Sequence, residues 1–261
     1  MVIKAARGQV KQSLVKQIEA ILPSPKAVVA VVGAGGKTTC VYRLAEYLIA
    51  AQKKVLVTTT TKMFHPQYEK RDNWKFFPGP FHGSEIRWPN IGNQIDIAAL
   101  TVDRNQNKLI GFAADEIDEA VNEGRYDYIL VEADGAKQKP IKAPAPQEPV
   151  IPGTASIIIG IVGLDSLGKP INEANVHRPD LLADLTSQPL GSHITESTLV
   201  KLICSQSGLF KNSPDSSRKI VVLNKADNEE LINRGKMVVD MLKKEKGCEV
   251  SIHQTMVGNF A

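Results

Sequence analysis

Cysteine is scarce in this sequence, and the cysteines that occur are not paired by spacing. Cys40, Cys204 and Cys248 lie far apart, and none belongs to a CxxC motif. Disulfide scaffolds and zinc knuckles rely on closely spaced or paired cysteines. The sequence therefore favours neither class of protein and predicts three reduced, structural thiols.

Long hydrophobic runs and a strong net charge are also missing. The longest apolar runs, 27–32 and 157–162, are far shorter than the ~20 residues that cross a bilayer. The N-terminus lacks the apolar stretch of a signal peptide. These features predict a cytoplasmic protein with no membrane partner. The net charge of +4, from 32 basic and 28 acidic residues, is too small to indicate a nucleic-acid partner.

The composition that remains is typical of a globular protein. Of the 261 residues, 43% are hydrophobic and 23% are charged, which provides for a large buried core. Apolar positions at helical spacing predict a helix over 10–22, within an N-terminal segment 1–25. The segment 140–152 contains five prolines, so it is predicted to be a stiff, extended loop.

Short apolar runs predict the buried strands of a parallel sheet. There are five of them: 27–32, 54–59, 128–132, 157–162 and 219–223. A helix over 37–52 completes a βαβ unit. Further helices are predicted over 114–122, 180–185, 195–205 and 228–246, and an edge strand over 250–253. The segment 62–112 is predicted to be an insertion with a hairpin, in which 95–102 turns at 105–107 into 109–112. These elements predict a single domain over 1–261.

A glycine-rich loop between the first strand and the first long helix carries the clearest chemical signal. It comprises Gly33, Ala34, Gly35, Gly36, Lys37, Thr38 and Thr39. Such a loop directs backbone N–H groups at an anion, while the lysine adds a charge and the first threonine a hydroxyl for Mg²⁺. The sequence therefore predicts nucleotide-phosphate binding, in an α/β, P-loop NTPase-like three-layer sandwich with a mostly parallel sheet.

This loop differs from other glycine-rich turns. A dinucleotide-binding turn would have a third glycine where Thr38 stands, and an acidic residue after the second strand, where 58–61 are all threonine. The full Walker pattern would have a glycine at Val31. The spacing Gly33-x-x-Gly36-Lys37-Thr38-Thr39 instead resembles the shortened loop of Mur-type ligases.

Two carboxylates follow the third predicted strand. Glu132 and Asp134 stand where a phosphate-loop protein holds Mg²⁺, directly or through water. With Thr38 they are the predicted metal ligands, and with Lys37 they are the predicted catalytic residues. Glu132-x-x-Gly135 also resembles the Asp-x-x-Gly motif of GTPases. Which carboxylate meets the metal stays open, as does the alternative that both are solvated loop residues.

Two further groups of polar residues have alternative interpretations. The threonines 58–61 either orient water and complete the metal shell or reflect strand propensity alone. Basic side chains also follow the third and fourth predicted strands. These are Lys137, Lys139, Lys142, His177 and Arg178, which either hold an anionic second ligand or form solvated surface.

A base-recognition motif follows the fifth predicted strand. Asn224, Lys225 and Asp227 match the Asn-Lys-x-Asp signature with which GTPases recognise guanine. Alternatively, Asp227 caps the helix that follows. The sequence thus predicts ATP or GTP as the nucleotide and leaves the choice between them open.

Several longer motifs resemble the YqeC family. They are Val32-Gly-Ala-Gly-Gly-Lys-Thr-Thr39, 58–63, Val131-Glu-Ala-Asp-Gly135, the proline-rich block 142–152, Val162-Gly-Leu-Asp165 and Asn175-Val-His-Arg-Pro179. Members are described as accessory proteins of selenium-dependent molybdenum hydroxylases. The resemblance implies a role in maturing such an enzyme, with the hydroxylase or its molybdenum cofactor as a partner.

The motifs together predict a Mg²⁺-dependent NTP-binding protein that hydrolyses its nucleotide and acts as this accessory factor. One alternative is an ATP-dependent ligase or kinase that uses the insertion and the basic residues to hold a second substrate. Another is a nucleotide-switched binding module that does not hydrolyse NTP.

Overall fold

The computed structural model describes residues 14–22, 26–64, 74–78 and 95–260. Its helices are α1 (Leu14–Glu19), α2 (Lys37–Ala50), α3 (Ala114–Asn122), α4 (Pro179–Thr186), α5 (Glu196–Cys204) and α6 (Glu229–Lys244). Its strands are β1 (Ala27–Gly33), β2 (Val55–Thr59), β3 (Lys62–Phe64), β4 (Trp74–Pro78), β5 (Ile95–Ala99), β6 (Thr101–Asp103), β7 (Lys108–Ile110), β8 (Tyr128–Glu132), β9 (Ile141–Lys142), β10 (Ala155–Gly163), β11 (Val176–His177), β12 (Arg218–Asn224) and β13 (Gln254–Val257).

The central sheet has eight strands in the order β13-β12-β10-β1-β8-β2-β5-β4. Every neighbouring pair is parallel. Strand β1 lies in the middle and is buried along its whole length, as expected for a strand with both faces covered. The predicted α/β fold with a mostly parallel sheet is confirmed, and the five predicted strands are five consecutive members of this sheet.

The sheet lies between two apolar clusters, one on each face. Along β1 the side chains alternate, because Val28 and Val32 belong to one cluster while Val29 and Val31 belong to the other. The first cluster also contains buried residues of α3, α4, α5 and α6. The second contains those of α1 and α2. This helix–sheet–helix packing is the predicted three-layer sandwich.

The segment predicted as an insertion differs from expectation in one strand. The predicted hairpin is present as β6 and β7, which join β3 in an antiparallel sheet. Strand β5, however, pairs in parallel with β2 in the central sheet. All five residues of β5 are buried, so it has the burial of a central strand. Residues 65–73 and 79–94 of this segment, and 1–13 and 23–25 of the N-terminal segment, lie outside the described residues.

Two C-terminal boundaries also differ from the prediction. The edge strand is β13 (Gln254–Val257), four residues after the start predicted for it at 250. Val250 and Ile252 instead pack, partly buried, against the core outside any strand. Helix α6 ends at Lys244 rather than at 246. The apolar residues at 250 and 252 therefore correctly indicated contact with the core, but they do not pair with a neighbouring strand.

The prediction of three reduced cysteines is wrong for two of them. Cys204, the last residue of α5, is joined to Cys248 in a disulfide, with their Cα atoms 4.5 Å apart. The Glu249 N–H also donates to the Cys204 carbonyl, so the segment after α6 lies against the end of α5. The two cysteines are 44 residues apart, so no local sequence pattern predicts that they meet. Cys40 is reduced, as predicted, and lies buried, where burial raises the pKa of its thiol.

In the described part of the chain, no helix is both long and apolar enough to cross a membrane. The parallel arrangement brings the carboxyl ends of β1, β8, β10 and β12 to the same edge of the sheet. The loops that follow these strands therefore meet there, which is where ligand sites form in open α/β sheets.

Candidate functional site

The phosphate loop, residues 33–39, links β1 to α2 through an unusual backbone. Gly33, Gly35 and Gly36 all have positive φ, at 90°, 84° and 133°. A Cβ on Gly35 would lie 2.6 Å from the Gly163 nitrogen and 2.8 Å from the Pro140 carbonyl oxygen. These positions therefore require glycine, because a side chain would be strained at all three and would overlap backbone atoms at Gly33 and Gly35 and the Asn224 side chain at Gly36. Helix α2 begins directly after them, at Lys37.

Lys37 is buried at the start of α2, where its ammonium group makes one hydrogen bond and one ion pair. Its Nζ donates to the Gly33 carbonyl at 2.7 Å and lies 3.2 Å from Oδ1 of Asp134. The Gly33 N–H donates to the other oxygen of the same carboxylate at 3.0 Å. The loop lysine and the loop backbone therefore hold an anionic side chain together, as they would hold an anionic ligand.

Glu132, the last residue of β8, contacts the loop at a different point. Its Oε2 accepts a hydrogen bond from the Thr38 hydroxyl at 2.7 Å. Burial raises the pKa of Glu132, while the Lys37 charge and the Thr38 hydrogen bond act in the opposite direction. The structure thus pairs Glu132 with the Thr38 hydroxyl and Asp134 with Lys37.

A hydroxyl beside a carboxylate fits Mg²⁺, which binds few protein ligands and completes its shell with water and phosphate oxygens. Among the described residues there is no group of three or more His, Cys, Asp or Glu side chains that could hold a metal. Of the remaining loop residues, Ala34 is buried with its N–H on the Ile161 carbonyl, and Thr39 is exposed. These two contribute no side chain to the predicted metal position.

The proline loop, residues 137–152, follows β8 and passes the carboxyl end of β10 before the chain enters that strand at Ala155. Its Pro140 carbonyl accepts from the Gly163 N–H at 2.9 Å and lies against Gly35. Lys139 donates to the Ala174 carbonyl and has no recorded contact with the phosphate loop. The proline loop therefore packs directly on the phosphate loop and brings Lys142, though not Lys139, into this site.

Lys142 and Arg178 extend the cluster of charges. Lys142 Nζ lies 3.0 Å from Asp134 and 2.6 Å from Glu148. Arg178 donates to both oxygens of Glu148, at 2.6 and 2.7 Å. The sequence predicted that the basic residues hold an anionic ligand or form solvated surface, but these two are held by carboxylates of the chain itself. Sequence reasoning missed Glu148, whose only signal was its place in the proline-rich block.

Two pKa shifts in this cluster predict a pH-dependent stability. Burial alone would raise the pKa of Glu148, but its hydrogen bonds from Arg178 and Lys142 lower it to about 2. Burial and the neighbouring Arg178 charge lower the pKa of His177 to about 4. The ordinary pKa values are near 4.5 for Glu148 and near 6.5 for His177. At a pH between the lowered and the ordinary pKa of either group, the unfolded chain binds a proton there that the folded chain does not.

We therefore expect the free energy of unfolding to fall as the pH drops from about 6.5 to 4 through His177, and from about 4.5 to 2 through Glu148. Urea unfolding at a series of pH values measures this dependence. In His177→Asn the slope between pH 6.5 and 4 should become shallower, whereas the slope at lower pH should persist. If the free energy of unfolding changes with pH equally steeply in the two proteins above pH 4.5, the assignment to His177 is contradicted.

Three of the four hydroxyls in the threonine run 58–61 donate to backbone carbonyls. Thr58, Thr59 and Thr60 donate to the carbonyls of Ala98, Glu132 and Val150, respectively, at 2.9, 2.7 and 2.7 Å. These bonds tie the end of β2 to β5, β8 and the proline loop. Of the two interpretations of this run, the observed bonds support a structural role over a place in the metal shell.

The Asn-Lys-x-Asp residues reach the phosphate loop through their first member. Asn224 is buried and donates from Nδ2 to the Gly35 carbonyl at 2.7 Å. Lys225 pairs with Asp165 at 3.0 Å, and Asp227 accepts from Nδ2 of Asn259. Asp165 and Asn259 were not predicted as partners, although Asp165 lies in one of the motifs quoted above.

Asp227 does not cap α6, which was the alternative role predicted for it. The N-cap is Asn228, whose side chain accepts from the Leu231 N–H at 2.8 Å. Asp227 is instead exposed next to the cap. Its carboxylate is therefore not needed to begin the helix.

Comparison with known proteins agrees with the resemblance found in the motifs. A sequence model described as YqeC protein matches residues 29–180. The uncharacterized protein YqeC of Escherichia coli (strain K12) is 36% identical over 200 residues, which cover 76% of this chain and 75% of that protein. The matched region includes the phosphate loop, both strand-end carboxylates and the proline loop. The chain belongs to the YqeC family.

Proposed function

We propose that this protein binds a nucleoside triphosphate with Mg²⁺ and hydrolyses it. The observation that carries the proposal is the hydrogen bond between Thr38 and the buried Glu132, formed directly beside the buried Lys37. A lysine, a hydroxyl and a carboxylate at the start of a helix are the groups that phosphoryl transfer requires. The glycine loop that precedes them has the backbone of an anion-binding turn.

Each residue has a distinct task in this proposal. Lys37 neutralises charge on the β- and γ-phosphates, and the first turn of α2 offers backbone N–H groups that have no partner within the helix. Thr38 and Glu132 would hold Mg²⁺, which when bound supplies positive charge to the phosphate oxygens. Asp134 contacts Lys37 and so controls its position. Because the Thr38 hydrogen bond holds Glu132 in place before the nucleotide arrives, this carboxylate needs little reorganisation during the reaction.

Nucleotide binding is tested by titrating the protein with MgATP and MgGTP. A ligand that binds only the folded state stabilises it by RT ln(1 + [L]/Kd), so we expect the melting temperature to rise with nucleotide concentration. The rise should shrink when EDTA removes the metal. No rise with any nucleoside triphosphate at about millimolar concentration, where even a millimolar Kd gives a measurable shift, would contradict the proposal.

Hydrolysis without a second substrate distinguishes the remaining alternatives. Phosphate release by the protein alone supports an NTPase. Release that requires an acceptor would indicate a ligase or kinase, and nucleotide binding with background turnover would indicate a nucleotide-switched binding module.

Guanine recognition predicts a specific effect of Asp227→Asn. A carboxylate accepts the two N–H groups of guanine, which adenine does not offer in that arrangement. Asp227 is exposed in the free protein, and a bound base that covers its carboxylate without pairing with it is disfavoured. We expect GTP to bind more tightly than ATP, and the substitution to remove most of that preference while leaving ATP affinity nearly unchanged. Competition binding of the two nucleotides measures this.

Asn228→Ala is the matched control for the base preference. It removes the N-cap of α6 and should lower the free energy of unfolding by about 1 kcal/mol, but should leave the ratio of GTP to ATP affinity as it is. Equal affinities of the unsubstituted protein for GTP and ATP would refute guanine recognition and favour ATP.

The nucleotide cycle is proposed to serve the maturation of a selenium-dependent molybdenum hydroxylase in the cytoplasm. The support is the family resemblance in the motifs, which extends well beyond the phosphate loop. The hydroxylase or its molybdenum cofactor would be the second partner. Cells that carry Lys37→Ala in place of the natural gene should then contain hydroxylase protein of reduced activity. Full hydroxylase activity in those cells would contradict this role.

A further inference from the structure

Five charged side chains of alternating sign form a continuous chain beside the phosphate loop. In order they are Lys37, Asp134, Lys142, Glu148 and Arg178. The separations between neighbours are 3.2, 3.0, 2.6 and 2.6 Å. The side chains of Asp134 and Lys142 are each only 2% exposed. The middle of this chain is therefore shielded from water, so its charges depend on one another for compensation.

Lys37 has two competing partners in a protein that binds nucleotide. In the structure its ammonium group is held by the Asp134 carboxylate and the Gly33 carbonyl. A triphosphate needs the same ammonium group. If Lys37 were the only cation on Asp134, turning it to the nucleotide would leave a buried carboxylate with no paired cation, and the cost would oppose binding.

Lys142 removes this conflict because it contacts the other oxygen of the carboxylate. Lys37 lies nearest Oδ1 of Asp134, whereas Lys142 lies nearest Oδ2. Lys142 is fixed in turn by Glu148 and by the Gly135 carbonyl at 2.8 Å. The bidentate Arg178 contact holds Glu148 in place. A rigidly placed second cation therefore stays on Asp134 whatever Lys37 does.

We propose that Lys142 is a positioning residue of the phosphate site, which compensates Asp134 so that Lys37 can turn to the nucleotide. It acts through Asp134 and Lys37 and does not itself contact the phosphates. The inference rests on the proposed nucleotide binding and adds to it that the proline loop is part of the phosphate site.

The test is a double-mutant cycle on the affinity for MgATP, measured by calorimetry. Lys142→Met should lower the affinity about tenfold, which corresponds to about 1.4 kcal/mol, because Lys37 then stays on Asp134. Asp134→Asn should bind at least as tightly as the unsubstituted protein, since Lys37 loses its competing anion. The double variant should return to within about threefold of the unsubstituted affinity, so the two effects are strongly non-additive.

This recovery separates positioning from a merely structural role. If Lys142 only stabilised the proline loop, the double variant would bind as weakly as Lys142→Met, and that result would overturn the inference. Unchanged affinity in Lys142→Met would overturn it too. Should Lys142→Met fail to fold, two other variants test the inference. The double variant lacks the buried carboxylate charge that needs compensation, and Lys142→Arg keeps the cation that compensates it. Both must then bind within about threefold of the unsubstituted protein, well short of a tenfold loss.

Lys139→Met is the matched control, since Lys139 lies in the same loop but its ammonium group donates to the Ala174 carbonyl. Its affinity for MgATP should be that of the unsubstituted protein. A failure of the proposed function looks different, because the unsubstituted protein would then bind neither MgATP nor MgGTP. In that case the role of Lys142 fails together with nucleotide binding, whereas an unaffected Lys142→Met refutes the role of Lys142 alone.

Discussion

Replacing Lys37 by alanine is expected to abolish most of the rise in melting temperature that MgATP or MgGTP produces. A hydrogen bond to a charged group contributes about 1.5–3 kcal/mol, and about 1.4 kcal/mol corresponds to a tenfold change in affinity. Lys37 is the buried cation of the phosphate loop, so its loss should weaken nucleotide binding by about ten- to a hundredfold or more. Thermal unfolding over a nucleotide titration measures the effect.

Arg43→Ala provides the matched control for this experiment. It removes a cation from the same helix, but Arg43 is exposed and, within the described part of the chain, its guanidinium group pairs with Glu46 at 3.5 Å. Its nucleotide response should equal that of the unsubstituted protein. The melting temperature without nucleotide must be compared as well, because Lys37→Ala leaves Asp134 to Lys142 alone. A full nucleotide response in Lys37→Ala would refute the assignment of the phosphate loop.

Glu132→Gln is expected to reduce hydrolysis far more than nucleotide binding. Glutamine matches glutamate in shape and can still accept the Thr38 hydrogen bond, so the fold should persist, but the negative charge for Mg²⁺ is lost. Loss of one preorganised group that stabilises the transition state lowers kcat by about a hundred- to a thousandfold. Loss of an interaction made mainly in the transition state lowers kcat and kcat/KM together, which steady-state phosphate release will show.

Asp134→Asn separates the two carboxylates. Its side chain contacts Lys37 and Lys142 rather than Thr38, so its main effect should appear in nucleotide affinity, as the cycle above requires. Glu132→Gln and Asp134→Asn should therefore differ in both kcat and affinity. If both hydrolyse nucleotide at indistinguishable, near-natural rates, neither carboxylate serves the reaction.

The sequence by itself determined the local elements and the chemical motifs. Apolar runs without alternation predicted central strands such as β1 and β8, because strands covered on both faces show no polar side. The glycines of the phosphate loop and the Lys-Thr pair after them could be interpreted without any tertiary contact, since their chemistry depends on adjacent residues. The same locality let the boundaries of α3 be predicted over 114–122.

The partners within the site were decided by the tertiary structure alone. Thr38 and Glu132 are 94 residues apart, and Asn224 and Gly35 are 189 apart, so no local pattern shows that they meet. Parallel strands bring such distant residues to one sheet edge, but the backbone path of each loop selects which polar atoms pair.

For that reason the sequence could not distinguish the roles of Glu132 and Asp134. In the fold Glu132 contacts Thr38, whereas Asp134 contacts Lys37. The same reason hid the disulfide between Cys204 and Cys248 and the place of Lys142 between two carboxylates. Each depends on how separate segments pack, because contacts between chain-distant groups form only when the apolar core fixes the elements that carry them.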